Sequence, residues 1–291
     1  MAEIGGKWCF CTLALGERYC QLARQLAGDI ALHSPATPFL VLTDLPEALE
    51  GPRNIVAVPH RKRSVKGYND KLCVIAKALQ MYDTCVFLDA DTRIVGQVNN
   101  SQDMFRPGIQ AAIVRTWEYT RNEATSPNPK KWQSDNIRIM GLLREAFGLQ
   151  ESDPDIPYVV EYLFAVTRNE KLEAFLKQWA VYAEFCEKNR LFIHEGFSIG
   201  LAALKTGFGL EESDFRWLRL FEPLIAGREV RKGVFPQDEY DTLNATITRY
   251  KNPPAAMRWG WRVHQFGQML DTLRVQMRYL RVRLFGLRLL D

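Results

Sequence analysis

No run in this chain approaches the ~18 uncharged apolar residues of a membrane-spanning helix, and no internal repeat or low-complexity tract interrupts it. Its 6 cysteines form no C-x-x-C pair and fall mostly within apolar runs, where a free thiol behaves as a small hydrophobe. That excludes a disulfide scaffold and points to a reducing compartment. A leader is poorly supported: the one candidate, Trp8 to Gly16, is short, follows Glu3 and Lys7, and has no convincing cleavage site before Glu17. The expectation is a cytoplasmic protein, with peripheral contact to the inner face of a membrane as a further option.

Excess charge is also scarce. Lys and Arg number 38 against 34 Asp and Glu, a net +4. Most of it lies between Asp271 and Asp291, where Arg274, Arg278, Arg281, Arg283 and Arg288 face two aspartates. The rest of the chain carries about +1, too little for a nucleic-acid-binding face, so no nucleic-acid partner is expected.

What is present is an ordinary globular composition: 291 residues, 47% hydrophobic and 25% charged, enough for one large domain or two small ones with a full core. Up to residue 115, strand-like runs alternate with helical patterns. Trp8 to Leu15, Phe39 to Leu42, Ile55 to Val58 and Cys85 to Leu88 read as buried strands. Glu17 to Leu26, with Tyr19, Leu22, Ala23 and Leu26 on one face, and Asn69 to Met81 read as helices. Further strands are expected over Ile109 to Val114 and Tyr158 to Val166, and helices over Ile137 to Phe147 and Glu170 to Lys188. Another helix is expected from near Phe197 or Gly200. Thr116 to Pro157 is polar and proline-rich, as lids and binding loops often are. The alternation predicts an α/β fold with a central, mostly parallel mixed sheet flanked by helices, spanning 1–268, with a nucleotide-binding half (1–115) and an acceptor half (116–268). A basic amphipathic helix (269–291) follows.

Ligands of such sheets sit beyond the carboxyl ends of the strands, which directs attention to Asp44 after the second strand and to Asp89, Ala90 and Asp91 after VFL. A D-x-D match alone carries nothing, and Asp153-Pro154-Asp155 is a second one. At the end of a buried strand, however, two carboxylates offer hard oxygen ligands for Mg²⁺ or Mn²⁺. The bland reading is a loop cap, or pairing with Lys71 or Arg93.

Around these residues the chain resembles the GT-A glycosyltransferases, especially the family-8-like branch, loosely over Trp8 to Leu210 and most closely over Tyr68 to Val95. The resemblance implies that Thr12, Leu13 and Ala14 cradle the nucleotide of a nucleotide-sugar donor, that Lys71 precedes the metal strand on its helix, and that Asp91 and Asp89 hold metal and ribose. His264, followed by Gly267, matches the position of a third metal ligand. The chain departs from the pattern twice. VVEYLFAV, with Glu161, stands where an Asn-Ser-Gly turn is usual, and Leu270 stands where a phosphate-binding Lys is usual. The implied function is metal-dependent transfer of a sugar, from a donor that the resemblance makes UDP-linked, to an unidentified hydroxyl acceptor, with Glu195 or Glu161 as a candidate base.

Two rivals remain. Gly196-Phe197-Ser198-Ile199-Gly200 matches the G-x-S-x-G elbow of α/β-hydrolases, with Asp238 or Asp241 and His264 following in triad order. A GT-A-like scaffold that binds without catalysis is the other. His264 between aromatics also reads as a core histidine, and His194 and Glu195 as a helix start. The basic loop Arg61 to Lys66 reads as a solvated face or as an anion-attracting one. In the last helix Leu270, Leu273, Met277, Leu280, Leu284 and Leu287 form one stripe beside Arg274, Arg278 and Arg281. Packing on its own domain, contact with an anionic membrane and self-association as a homo-oligomer all remain open.

Overall fold

The computed structural model describes residues 8–98, 104–115, 131–149, 156–189, 195–251, 265–277 and 279. Among the described residues nine strands run in chain order: β1 (Trp8–Ala14), β2 (Phe39–Thr43), β3 (Ile55–Pro59), β4 (Thr84–Leu88), β5 (Arg93–Ile94), β6 (Gly108–Arg115), β7 (Pro157–Thr167), β8 (Leu210–Glu212) and β9 (Leu220–Phe221). The helices are α1 (Glu17–His33), α2 (Lys71–Met81), α3 (Lys131–Phe147), α4 (Leu172–Lys188), α5 (Glu195–Thr206), α6 (Pro223–Arg231), α7 (Gln237–Lys251) and α8 (265–277).

Seven strands form one sheet in the order β3-β2-β1-β4-β7-β6-β8, and β5 pairs with β9 in a second, two-stranded one. β1 is parallel to β2 and β4, and β2 to β3. β7 alone runs against its neighbours β4 and β6. The apolar runs that predict β1, β2 and β4 are continuous because both of their faces are covered. Cys9, Cys11, Leu40, Leu42, Cys85 and Phe87 point to α2, α4 and α5. Phe10, Phe39, Val41, Val86 and Leu88 point to α1 and to the returning segment with Phe215, Phe221, Ala226 and Ile247. The fold is therefore α/β with helices on both faces. α1 runs on to His33, and its buried face uses Cys20 with Leu22, Ala23, Leu26 and Ile30, while Tyr19, expected on that face, is exposed.

The chain leaves β1 through α1 on one face and enters β4 from α2 on the other, so the direction of winding reverses between β1 and β4. Such a reversal opens a crevice at the carboxyl ends of the two strands. Thr12 Oγ1 donates to the Leu88 carbonyl across it at 2.6 Å.

The G-x-S-x-G match has a packing explanation. A Cβ on Gly196 would lie 2.3 Å from the Val159 carbonyl oxygen, and one on Gly200 would lie 1.7 Å from that of Pro157. The two glycines let α5 lie against the β7 backbone, and Ser198 between them is buried with its hydroxyl 3.7 Å from Cys186 Sγ. Gly200→Ala is expected to destabilise by about 1–3 kcal/mol through overpacking. Gly28→Ala, on α1 with open space around it, is expected to be neutral or to stabilise by up to about 1 kcal/mol. Urea denaturation of the two variants measures both.

Candidate active site at the ends of β1 and β4

β4 ends at Leu88, and the next residues form a tight turn rather than continuing the strand. The Asp89 amide donates to the Tyr162 carbonyl at 2.9 Å. The Thr92 amide and hydroxyl both donate back to the Asp89 carbonyl, at 3.0 and 2.8 Å. Arg93 then clamps Asp29 of α1 with two guanidinium bonds of 2.5 and 2.7 Å, a bidentate pair that fixes orientation. Arg93 is thus committed away from the aspartates. Asp89 and Asp91 reach in different directions: Asp89 Oδ1 lies 2.9 Å from Lys71 Nζ on α2, and Asp91 Oδ2 lies 2.5 Å from Lys251 Nζ on α7. They remain close enough for the Asp91 charge to push the Asp89 carboxyl upward. Ala90 between them is buried.

Behind Asp89 lies a buried ionic cluster. Lys71 Nζ is 2.5 Å from Glu195 Oε1, donates to the Glu161 carbonyl at 3.1 Å, and stands 4.9 Å over the Phe87 ring. The Tyr158 hydroxyl sits 2.7 and 2.6 Å from the two carboxylate oxygens of Glu161. Burial pulls the Lys71 ammonium down, but Asp89, Glu195 and Glu161 outweigh it and hold the group above its ordinary value. For Glu195 the balance goes the other way. Burial, reinforced by Glu161 and Asp89 and opposed by Lys71, pushes its carboxyl up to about 8. Burial likewise raises Glu161 and Asp89. One ammonium faces three carboxylates, so a proton stays in the cluster at neutral pH. Glu195 is 4% exposed, and its Oε2 has no hydrogen-bond partner among the described residues.

The residues that the resemblance assigns to the nucleotide lie at the ends of β1 and β2. Thr12 and Ala14 are buried within β1, and the Thr12 hydroxyl is committed to β4, so Leu13 and Leu15 are the more accessible part of this segment, while Gly16 is buried. Asp44 accepts from the Gly16 amide at 2.7 Å and from Gln268 Nε2 of α8 at 3.0 Å. The basic loop is also engaged by α8: Arg61 bonds Asp271 at 2.7 Å and Lys62 bonds Thr272 at 2.8 Å. On the far side, Glu187 accepts from the amides of Val65 and Lys66, from Asn69 and from the Tyr279 hydroxyl.

His264 and His194 lie outside the described residues, as does half of the proline-rich stretch. Among the described residues no three His, Cys, Asp or Glu side chains gather as a metal-holding group. Asp89 and Asp91 stand as a pair, each with one oxygen directed at a lysine. That donor set suits an ion of the Mg²⁺ class, which is commonly held by one or two carboxylates together with substrate phosphates. The hydrolase constellation is not assembled: Ser198 is sealed between α5 and α4, while Asp238 and Asp241 belong to α7 on the other side of the sheet. Lys251, Tyr158 and the Arg93–Asp29 clamp carry no sequence signal, since each acts through a distant partner or a lone side chain.

Two outcomes test the cluster. Above pH 4.5 the unfolded chain releases a proton that folded Glu195 retains up to about 8. Stability should therefore fall as pH rises through that window and level off above it. Urea denaturation between pH 5 and pH 9 should show a shallower fall for Glu195→Gln; an unchanged slope would place the proton elsewhere. Lys71→Met leaves buried carboxylates uncompensated, and is expected to cost about 3–5 kcal/mol near neutral pH and less near pH 5. The sequence matches no protein-family model and no curated protein, so a functional reading rests on this geometry and on the motif resemblance.

Proposed function

We propose that the chain is a metal-dependent GT-A-type glycosyltransferase moving a sugar from a nucleotide-sugar donor to a hydroxyl acceptor. One observation carries the reading: Asp89 and Asp91 stand in a clamped turn at the carboxyl end of β4, beside β1, where the winding of the sheet reverses. A cofactor ion, Mn²⁺ or Mg²⁺, would supply charge neutralisation for the departing diphosphate.

The chain's own residues divide the remaining work. Asp91, paired with Lys251, and Asp89, fixed by Lys71, would present oxygens to the ion and the donor. Leu13 and Leu15, at the end of β1, would line the crevice beside the nucleoside. Glu195 is held behind Lys71 and orients the cluster rather than reaching an acceptor. Glu161 is half-buried, has a raised carboxyl pKa and is aligned by Tyr158, which suits it better to take a proton from an acceptor hydroxyl. His264 remains the proposed third metal ligand.

Incubation with a panel of nucleotide sugars and Mn²⁺, reading nucleoside diphosphate release, tests the proposal. Turnover of at least one donor is expected, abolished by EDTA and reduced at least 100-fold (~3 kcal/mol of transition-state stabilisation) in Asp91→Ala. Donor binding without turnover would favour a binding scaffold. Metal-independent release, or full activity in Asp91→Ala, would remove the metal assignment. Ester hydrolysis lost in Ser198→Ala, with no donor turnover, would reinstate the hydrolase.

A further inference from the structure

α8 is amphipathic with its polar side turned inward. Gln268, Asp271, Thr272 and Val275, continued by Tyr279, face the body of the protein: Gln268 on Asp44, Asp271 on Arg61, Thr272 on Lys62 and Tyr279 on Glu187, with Val275 buried. Phe266, Met269, Leu270, Leu273 and Met277 lie on the opposite face and are 43–60% exposed. At 100° per residue the two sets centre on opposite sides of the helix. Sequence periodicity identifies the stripe of Leu270, Leu273 and Met277, but the contacts show that the domain is packed against the other side.

A continuous apolar stripe on a helix already anchored to its domain marks an interaction surface, and the charge beside it selects the partner. Arg274 flanks the stripe, and Arg278, Arg281, Arg283 and Arg288 follow in the sequence, interleaved with Leu280, Leu284, Phe285 and Leu287. Of the two aspartates in this stretch, Asp271 is already paired with Arg61. A second copy would bring its own arginines against these, whereas an anionic surface attracts them. We propose that the outer face of α8 docks the chain on an anionic lipid bilayer, with the apolar side chains entering the headgroup boundary and the arginines meeting lipid phosphates. The inner face lies over Gly16, Asp44 and the loop after β3, so docking would set the candidate site beside the membrane. The proposal does not depend on the glycosyltransferase reading, because its readout is lipid binding.

The test is sedimentation of the full chain with vesicles of phosphatidylcholine alone, or of phosphatidylcholine with an equal part of phosphatidylglycerol. The chain should pellet with the mixed vesicles only, and added salt should release it. The double variant Leu270→Glu, Leu273→Glu should reduce the pelleted fraction about tenfold without changing the melting temperature, because both side chains are exposed. Leu32→Glu, at an exposed leucine of α1, should bind as the unaltered chain does. Failure to pellet with mixed vesicles, equal pelleting with neutral ones, or undiminished binding by the double variant would overturn the proposal. A lipid-free dimer dissolved by the double variant would give the stripe to a second copy and overturn it as well.

Discussion

Lys71 Nζ joins four elements that are distant in sequence: its own helix α2, Asp89 after β4, the Glu161 backbone on β7 and Glu195 at the start of α5. Taking an ammonium out of water is expensive, and the expense is offset only when every nearby acceptor is well placed. The contacts satisfy that condition, and their consequence is rigidity. Asp89 cannot change rotamer without giving up its bond to a buried ammonium. α5 cannot slide along β7 without moving Glu195 away from Lys71, and Gly196 and Gly200 already hold the two backbones in contact. The candidate site is therefore built against an ionic core rather than on a loose loop.

A second set of polar contacts governs the other side of the crevice. Asp44 joins the β1–α1 turn to α8, and Glu187 gathers the loop after β3 and Tyr279. These bonds are partly open to water and individually modest. The helix they hold covers little apolar surface, so its position depends on many weak contacts rather than on a core. This is why its hydrophobic residues are free to face outward.

The buried strands were legible because sheets covered on both faces leave continuous apolar runs, as in FLVL and VFL. The turn at Asp89 was legible as chemistry but not as geometry. An extended segment would point Asp89 and Asp91 the same way, whereas the bonds from Thr92 to the Asp89 carbonyl close a turn and the two carboxylates meet different lysines. The two-residue strands β5 and β9 have no periodicity to read. α6 and α7, which cover the α1 face, show their role only once Ile247 and Ala226 are seen beneath them. The G-x-S-x-G pattern illustrates the reverse case, in which small residues spaced for backbone contact imitate a catalytic signature.

The two aspartates differ in what it takes to free them. Asp89 faces a lysine that is 6% exposed, in a cluster where losing the partner strands a charge. Asp91 faces Lys251, a lysine that is 33% exposed and open to water in a way that Lys71 is not, where an ion pair contributes at most about 1 kcal/mol. In the proposed reading a divalent cation would compete more readily for Asp91 than for the lysine-facing oxygen of Asp89. In that reading Asp91 would hold the ion, and Asp89 would keep its bond to Lys71. Lys251, on α7 beside Asp91, would be a second positive charge able to meet a diphosphate.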